Sequence, residues 1–304
     1  MNILVSGLLN TETTAPVRGF PIPYYPIDYT FFGVSTGASG VAFNIAKALR
    51  TLGDDVRLAS MTGSDFAAAY IREELRGQGI GTEHIRPCLR QTPASVVLYG
   101  PDGRRQIYCD LKDIQETAYP FEPTMLDGID LVAACNINFN RPLLHLARQA
   151  GKRIATDVHV LSDIHDAYNR EFMELADILF LSDEGIGPDY PAFLRQLART
   201  YPCGIIVLGR GAQGAALYLR GEDRLAELPA VQAGPVVNTV GAGDALFSAF
   251  LHYTARGLAP QEALQRAQVF AAHKITVSGA ACGFVPEQTV EEWLQRAQHG
   301  GSAR

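Results

Sequence analysis

The sequence predicts an α/β fold in which a central, mostly parallel β-sheet is flanked by helices and accompanied by a small second β-sheet. Three observations support this prediction. Short apolar runs alternate with amphipathic segments along most of the 304 residues, a glycine-rich turn leads into an apolar helix near residue 241, and two stretches break the alternation. Strands joined by helices pair in parallel, because the helix returns the chain to the same end of the sheet.

Six short runs of apolar, often β-branched residues are predicted to be strands of the central sheet. They are residues 3–6, 56–60, 131–135, 153–157, 178–181 and 205–208. Apolar residues recur at helical spacing in four segments between them. These segments lie at residues 41–52, 71–75, 143–147 and 193–197. Ligands of such sheets bind beyond the carboxyl ends of the strands, so a site is expected there.

Two stretches do not fit this alternation. Residues 20–32 contain six aromatic residues and three prolines. Residues 93–110 have the pattern of a β-hairpin, with Pro101-Asp102-Gly103 as its turn. Together they could form a small β-layer over one edge of the sheet. The alternative is a packed aromatic loop beside an ordinary hairpin.

Length and composition favour one globular domain. Hydrophobic residues make up 47% of the chain and charged residues 19%, which is close to the globular average. We predict a single α/β domain over residues 1–298, with lid insertions at about 10–34 and 92–112. Residues 299–304 are predicted to be a disordered tail.

Charge and apolar patterning exclude several classes of function. The net charge is −6, from 26 Lys and Arg against 32 Asp and Glu, and no basic stripe stands out, so no nucleic-acid partner is expected. No apolar run reaches the ~18–20 residues that span a bilayer. The N-terminus lacks the positive start of a signal peptide, and the five cysteines are scattered without a C-x-x-C pair. We therefore expect a cytoplasmic protein without a membrane partner.

The strongest local signal is the run Asn238-Thr-Val-Gly-Ala-Gly-Asp244, which leads into an apolar helical face. Gly241, Ala242 and Gly243 are thus predicted at a helix N-terminus, where free N–H groups and the helix dipole attract anions. Two glycines let a phosphate approach the backbone. Asp244 would stand beside that anion, placed to accept a proton from an attacking hydroxyl. A glycine turn with a capping Asp would produce the same pattern without chemistry.

That run resembles the D-T-x-G-A-G-D signature of the ribokinase, or PfkB, family of carbohydrate kinases. Other segments resemble motifs of the same family, in the family's order, over residues 1–290. They are Ser39-Gly40 with Asn44 for G-G-x-x-x-N, Gly63-Ser-Asp65 for G-x-D, Asp102-Gly103 with Arg105 for the lid's D-G-x-R, and Gly279-Ala280 with Pro286 for the C-terminal G-A…P. Together these motifs are far more specific than any one of them.

The resemblance implies transfer of the γ-phosphoryl group of ATP to a hydroxyl of a small sugar-like substrate, with magnesium held mostly through water. It also implies that Asp244 is the general base and that the amides of Ala242 and Gly243, in the 241–243 turn, form the anion hole. The substrate residues that it implies are Glu12, Ser39, Gly40 and Asn44, and the nucleotide residues are Gly209, Gly211, Thr239 and Gly279. Lid edges of this family often pair between subunits, so a homodimer is expected.

Several positions depart from the family's pattern. Asn238 replaces an Asp that in many members helps to hold a monovalent cation, which leaves potassium activation in doubt. Ser39 replaces a glycine, and Glu12 stands where an Asp is usual. The N-x-x-E segment that organises magnesium-bound water aligns with residues 182–185. Neither of its key residues is retained, and the carboxylates that could substitute from one position away are Asp183 and Glu184.

Other signals are weaker. Gly209-Arg-Gly211-Ala-Gln-Gly214 spells G-x-G-x-x-G, but a strand pattern follows it, so we predict a hairpin turn and no dinucleotide site. The run 157–166 has metal-like composition without zinc spacing and is interpreted as a polar loop, with His159 near the cleft. His273-Lys274 is interpreted as a solvated helix face, with a phosphate contact of Lys274 as the alternative. The aromatic residues 20–32 either stack on a ligand or pack within the chain.

We predict an ATP-dependent sugar kinase of the ribokinase type. Two alternatives stay open. The first is a nucleoside kinase with the same mechanism, which the aromatic-rich lid favours. The second is a catalytically weak sugar-binding or regulatory protein on a kinase scaffold, which the altered residues at 238 and 182–185 favour.

Overall fold

A computed structural model describes residues 1–102 and 104–300 of the chain, with the backbone alone for 298–300. The strands, in chain order, are β1 Asn2–Ser6, β2 Asn10–Pro16, β3 Ser35–Ser39, β4 Asp55–Thr62, β5 Ile85–Pro87, β6 Ala94–Tyr99, β7 Arg105–Asp110, β8 Leu131–Ala134, β9 Arg153–Val160, β10 Ile178–Ser182, β11 Ile205–Gly209, β12 Ala215–Leu219 and β13 Arg224–Leu228. The helices are α1 Val41–Thr51, α2 Phe66–Gly77, α3 Arg141–Gln149, α4 Arg170–Leu175, α5 Tyr190–Thr200, α6 Ala242–Ala255, α7 Pro260–Lys274 and α8 Glu287–Gly300.

Within the described residues, nine strands form the larger sheet, in the order β13-β12-β11-β10-β9-β8-β1-β4-β5. Neighbouring strands are parallel except around β12, which is antiparallel to both β11 and β13. All six predicted strands lie in the parallel part, so the predicted fold class is confirmed. Their continuous apolar character follows from burial on both faces, since Ile3, Leu4 and Val5 of β1 are all fully buried.

Side chains of the larger sheet alternate between two cores, one on each face. Ile3 and Val5 belong to one core and Leu4 to the other. In the first core, Phe180 of β10 lies edge-on to Phe247 and Phe250 of α6, with ring centroids 5.0 and 5.2 Å away. These buried aromatic contacts hold α6, whose N-terminus carries the glycine run, against the sheet.

The four predicted helices are present as α1, α2, α3 and α5, whereas α4 was not predicted. The six residues of α4 are too few for a clear helical period. A proline stands in the first turn of α3, α5 and α7, where its missing N–H removes no intrahelical hydrogen bond.

The smaller sheet has the strand order β3-β2-β6-β7. Strands β2, β6 and β7 lie within the two predicted insertions, whereas β3 follows the predicted end of the first insertion at residue 34. Strands β6 and β7 form the predicted hairpin, whose turn residue Gly103 lies outside the described residues. Asp65, at the N-cap of α2, ties this sheet to the larger one. Its carboxylate accepts hydrogen bonds from Thr92 N–H at 2.8 Å, Thr92 Oγ1 at 2.6 Å and Ala68 N–H at 3.0 Å. The G-x-D segment therefore places the start of β6.

The aromatic segment between β2 and β3 contains no strand or helix over residues 17–34. Tyr24 is 88% exposed and Phe31 is 86% exposed, so these rings do not pack into the chain. Arg18 restrains the segment, since its guanidinium donates to Asp28 at 2.9 Å and lies 4.0 Å from the ring centroid of Tyr25. Of the two interpretations, packing within the chain is therefore wrong for the exposed rings.

The C-terminal helix α8 runs to Gly300, and residues 301–304 of the predicted tail lie outside the described residues. In the part of the chain that the structure describes, no helix is long and apolar enough to cross a membrane.

Candidate active site

The candidate site lies where the small sheet meets the N-terminus of α6. Arg105 of β7 donates a hydrogen bond to Thr239 Oγ1 at 2.8 Å, just before the glycine run. Asn44, in the first turns of α1, donates from Nδ2 to Oδ2 of Asp244 at 2.7 Å. Because α1 follows β3 almost directly, the small sheet, α1 and α6 converge on Asp244.

The Asp244 carboxyl has a raised pKa. Burial is the largest cause, and the negative charge of Asp157 acts in the same direction. The hydrogen bond from Asn44 and the positive charges of His159 and Lys274 oppose the rise. A partly buried carboxyl with a raised pKa is a stronger proton acceptor than an exposed one, which is the property required of a general base.

The N-terminus of α6 presents free N–H groups beside this carboxylate. Ala242 N–H donates to Thr239 O at 3.2 Å. Among the described residues, the N–H groups of Gly241, Gly243 and Asp244 have no acceptor. Of the two amides predicted to bind an anion, that of Gly243 is free, whereas that of Ala242 is already hydrogen-bonded within the chain.

The predicted substrate residues lie together around Asp244. Ser39 Oγ donates to Glu12 Oε2 at 3.4 Å, across the β2–β3 pairing. Burial is the main cause that raises the pKa of Glu12, and the Asp244 charge adds to it. Gly40, which precedes α1, has φ 104°, and a Cβ there would lie 2.4 Å from Leu8 O. Only glycine fits position 40. The departure from the family's G-G pair stands at the neighbouring position 39, where this chain has a serine.

One further polar residue of the site, Asn10, was missed from the sequence. Asn10 of β2 donates from Nδ2 to Ser95 Oγ of β6 at 3.1 Å. The Oδ1 atoms of Asn10 and Asn44 are buried and lack a hydrogen-bond donor within the described chain. Buried acceptors are normally satisfied, so these two atoms are suited to accept from hydroxyls of a ligand. The available signal was that Asn10 stands two residues before Glu12 and shares its face of β2.

The predicted nucleotide residues fall into two groups. Thr239 and Gly279 lie at the N-terminus of α6, where Gly241 packs against Ala280. Gly209 and Gly211 lie at the carboxyl end of β11. The hairpin prediction for this second group is confirmed, because β12 runs antiparallel to β11 and no α-helix begins there.

The predicted metal residues Asp183 and Glu184 follow the carboxyl end of β10. Asp183 N–H donates to Gly209 O at 3.0 Å, and both carboxylates lack hydrogen bonds and ion pairs within the described part of the chain. Among the described residues, no three carboxylate, His or Cys groups are close enough to hold a metal ion together. This arrangement fits a magnesium ion held mainly by phosphate oxygens and water, since magnesium keeps several of its waters in such sites.

The interpretation of His273-Lys274 as a solvated face is wrong for Lys274, whose side chain is fully buried. Its Nζ donates to Asn238 O at 3.3 Å. Burial lowers the pKa of Lys274 to about 8, against the attraction of Cys282, Asp244 and Glu12. The sequence pattern failed here because α7 packs against both α6 and α8, which leaves little of its surface to solvent.

A surface cavity of about 500 Å³ between α2 and β5 does not coincide with this site. It is lined by Asp65 and Arg72, among others. Asp65 already accepts hydrogen bonds from Thr92 and Ala68, and Arg72 donates to two backbone carbonyl oxygens. The unsatisfied acceptors of Asn10 and Asn44 and the free N–H groups of the α6 N-terminus lie instead around Asp244.

Comparison with known proteins gives consistent results. The model of the pfkB family of carbohydrate kinases matches residues 2–288. The chain is 25% identical to an acarbose 7(IV)-phosphotransferase of an Actinoplanes species, over 93% of this chain and 95% of that protein. It is 26% identical to a 1-phosphofructokinase of Haloferax volcanii, over 80% of this chain and 81% of that protein. The solved structure of a microbiome-derived acarbose kinase has a TM-score of 0.85 at 22% identity, over 97% of this chain and 99% of that chain. This structural likeness shows the ribokinase-like fold.

Two glycines at the α6 N-terminus differ in whether the fold can accommodate a side chain, and a pair of variants tests this difference. Gly241 has φ 80°, and a Cβ there would lie 2.3 Å from Ala280 O, whereas a Cβ at Gly243 meets nothing within 4 Å. We expect Gly241→Ala to lower the free energy of unfolding by about 2 kcal/mol or more. Gly243→Ala should change it by less than about 1 kcal/mol, since alanine favours the helix. Urea unfolding measures both, and equal losses in the two variants would contradict the described geometry.

Proposed function

The chain belongs to the pfkB family of carbohydrate kinases, and we propose that it transfers the γ-phosphoryl group of ATP to a hydroxyl of a sugar or sugar-like substrate, with Asp244 as general base. As a member of this family it is a phosphotransferase with an alcohol group as acceptor. The proposed phosphoryl transfer with Asp244 as general base rests on the environment of the Asp244 carboxyl. This group has a raised pKa, is oriented by Asn44 and lies beside free N–H groups of the helix.

In the proposed reaction, an oxygen of the Asp244 carboxylate accepts the proton of the substrate hydroxyl as that hydroxyl attacks the γ-phosphorus. The new bond joins the substrate oxygen to phosphorus, the bond to the β–γ bridging oxygen breaks, and ADP leaves with that electron pair. Asn44 holds Oδ2 at 2.7 Å. Oδ1, which has no hydrogen-bond donor among the described residues, is then the oxygen that faces the hydroxyl.

The N-terminus of α6 is the proposed anion hole. Charge develops on the equatorial oxygens of the transferred phosphoryl group, and N–H groups that point at it stabilise the transition state. The free N–H of Gly243 is the first donor. The N–H of Ala242 would join it by giving up its 3.2 Å bond to Thr239 O, and that of Gly241 is free as well. Thr239, Gly279, Gly209 and Gly211 are proposed to border the nucleotide.

Magnesium, when bound with the nucleotide, neutralises phosphate charge. Asp183 and Glu184 are the proposed residues that hold its waters, because their carboxylates at the end of β10 are not engaged by other described residues. Hard oxygen ligands of this kind match the preference of magnesium.

The proposed substrate contacts are Glu12, Ser39, Gly40 and Asn44, together with Asn10. Carboxylate, amide and hydroxyl groups on one face suit a ligand with several hydroxyls. The similarity to an acarbose phosphotransferase makes a glycoside larger than one ring a candidate. The exposed rings of Tyr24 and Phe31 offer stacking surfaces for a second sugar ring. A nucleoside, which the same rings could cover, is the second candidate.

A substrate panel with an Asp244 variant tests the proposal. We expect magnesium-dependent ATP consumption with at least one member of a panel of monosaccharides, sugar phosphates, acarbose and nucleosides. Asp244→Asn should reduce kcat by roughly 10²–10⁴-fold, because it removes the proton acceptor. Asp127→Asn, at an exposed turn, is the matched control and should keep the wild-type rate.

The outcomes separate the alternatives. Full activity of Asp244→Asn would remove Asp244 from the role of base. Phosphorylation of nucleosides alone would favour the nucleoside kinase. A thermal shift with sugars without turnover on any member of the panel would favour a binding or regulatory protein on the kinase scaffold.

The raised pKa of Asp244 predicts the pH profile. The base works when deprotonated, so kcat/KM should rise with pH through a pKa above the ordinary Asp value of about 3.9. Asn44→Ala removes the hydrogen bond that favours the charged carboxylate. The rise of kcat/KM with pH, which is the acid limb of the profile, should therefore shift to higher pH. A limb that stays in place in this variant would contradict the role of Asn44 in setting the pKa.

We also propose a homodimer formed through the outer face of the small sheet, the face opposite Glu12. Thr13, Thr36, Val96 and Tyr108 share this outer face by register. Val96 and Tyr108 are exposed apolar residues on it, and every residue of the neighbouring edge strand β7 is exposed. Exposed apolar sheet faces and strand edges favour association with another chain.

Sedimentation velocity tests the dimer. The wild-type chain of 33.0 kDa should sediment as a dimer. Val96→Lys should shift it to the monomer, since a charge would be buried in the interface. Phe66→Lys, which alters an exposed aromatic residue at the start of α2, is the control. A wild-type monomer at micromolar concentration would contradict the proposed interface.

A further inference from the structure

Lys274 is the last residue of α7, and its environment differs from the solvent-exposed helix face that the sequence predicts. Its side chain is 0% exposed, although lysines are rarely buried without a partner. Among the described residues, Nζ has one hydrogen-bond acceptor, Asn238 O, and no carboxylate within 4.0 Å. A buried ammonium in this state is costly unless its charge is used.

The carbonyl group that Lys274 holds belongs to the first residue of the glycine loop, residues 238–243. This loop packs on the C-terminal loop, residues 275–283. The N–H groups of Val237 and Asn238 both donate to Ile275 O, at 2.8 and 3.1 Å. Gly241 approaches Ala280 so closely that a Cβ would lie 2.3 Å from its carbonyl oxygen. The Lys274 ammonium therefore lies at the junction of the two loops that position the N-terminus of α6.

The same residues do not fit a monovalent cation. Position 238, where an acidic side chain would provide a negative ligand, is a neutral asparagine. Its Oδ1 already accepts a hydrogen bond from Val240 N–H at 2.8 Å. Its carbonyl oxygen already accepts from Lys274. Alkali cations need several oxygen ligands, and these two oxygens are engaged within the chain.

We infer that the Lys274 ammonium is a built-in cation of the glycine loop, which positions the anion hole and makes the kinase independent of a monovalent cation. This inference rests on the proposed function of the loop. Lys274 acts as a positioning residue, because it reaches the reacting groups through Asn238 and the loop. Its charge would also favour the anionic forms of the groups in the site.

The charges that face Lys274 come from four elements. Asp244 of α6, Glu12 of β2 and Cys282 of the C-terminal loop act to keep it protonated, and Arg105 of β7 acts against this. The pKa of about 8 leaves the ammonium largely charged at pH 7. Conversely, its charge lowers the pKa values of Asp244 and Glu12. The lysine is thus coupled to both carboxylates of the site.

The test compares monovalent cations at a constant ionic strength of about 0.1 M, which keeps screening equal. The probes are the chlorides of potassium, sodium and tetramethylammonium. Both kcat and the melting temperature of the wild-type protein should be the same in all three salts. A wild-type rate or melting temperature that rises in potassium over tetramethylammonium would overturn the inference.

Two variants remove the charge. Lys274→Met keeps most of the volume, and its kcat should fall by about 100-fold, as for loss of one donor of an anion hole. Lys274→Ala leaves space for a cation, so potassium or ethylammonium chloride should restore part of its rate and raise its melting temperature. Lys152→Met is the matched control, because Lys152 Nζ donates to Ile129 O at 2.8 Å away from the site. Its rate should equal that of the wild type.

The outcomes remain distinguishable. A wild-type rate in Lys274→Met would overturn the inference, and so would a Lys274→Ala protein that folds but responds to no cation. If Lys274→Ala does not fold, the Lys274→Met rate and the wild-type salt series decide. If no substrate is turned over, the proposed function fails, while the melting temperatures of wild type and Lys274→Ala in the three salts still test the built-in cation.

Discussion

The hydrogen bond from Asn44 to Asp244 is the interaction around which the site is organised. It joins the start of α1 to the start of α6, across 200 residues of sequence. The two helices pack on the same side of the larger sheet, where α6 is held by the contacts of Phe247 and Phe250 with Phe180. Because both helices begin at this point, the proposed substrate-binding helix α1 and the proposed anion-binding terminus of α6 meet at one carboxylate.

Several carboxylates of the site lie close enough to one another to interact electrostatically. Glu12 and Asp244 repel each other, and Asp157 adds to this repulsion. A site of this kind must still admit an anionic nucleotide. The compensation comes from the free N–H groups of the α6 N-terminus, from His159 and from the buried ammonium of Lys274. Charges interact more strongly where water is excluded. The buried lysine lowers the pKa of both Glu12 and Asp244, although burial and hydrogen bonding act on these two groups more strongly.

Hydrogen bonds of Asp65 and Arg105 connect the small sheet to the rest of the described chain. Asp65 holds the start of β6 through Thr92, and Arg105 of β7 reaches Thr239 at the glycine loop. The inner face between these contacts carries Glu12 and Ser95, whereas the outer face carries exposed apolar side chains such as Tyr108. The alternation of side chains along β-strands thus gives the small sheet two surfaces of different chemistry.

Three features could be predicted from the amino-acid sequence alone: the parallel sheet, the hairpin at 93–110 and the helix that begins at the 241–243 turn. These follow from local periodicity and glycine placement, which depend on residues near in sequence. The sequence also indicated Asp244, Asn44 and Glu12 through motif resemblance. Three features depend on contacts between distant parts of the chain: the burial of Asn10 with its unsatisfied Oδ1 atom, the exposure of the aromatic rings of residues 24–32, and the burial of Lys274. Burial of a lysine is set by what packs on its helix from distant parts of the chain, and no local pattern records those contacts.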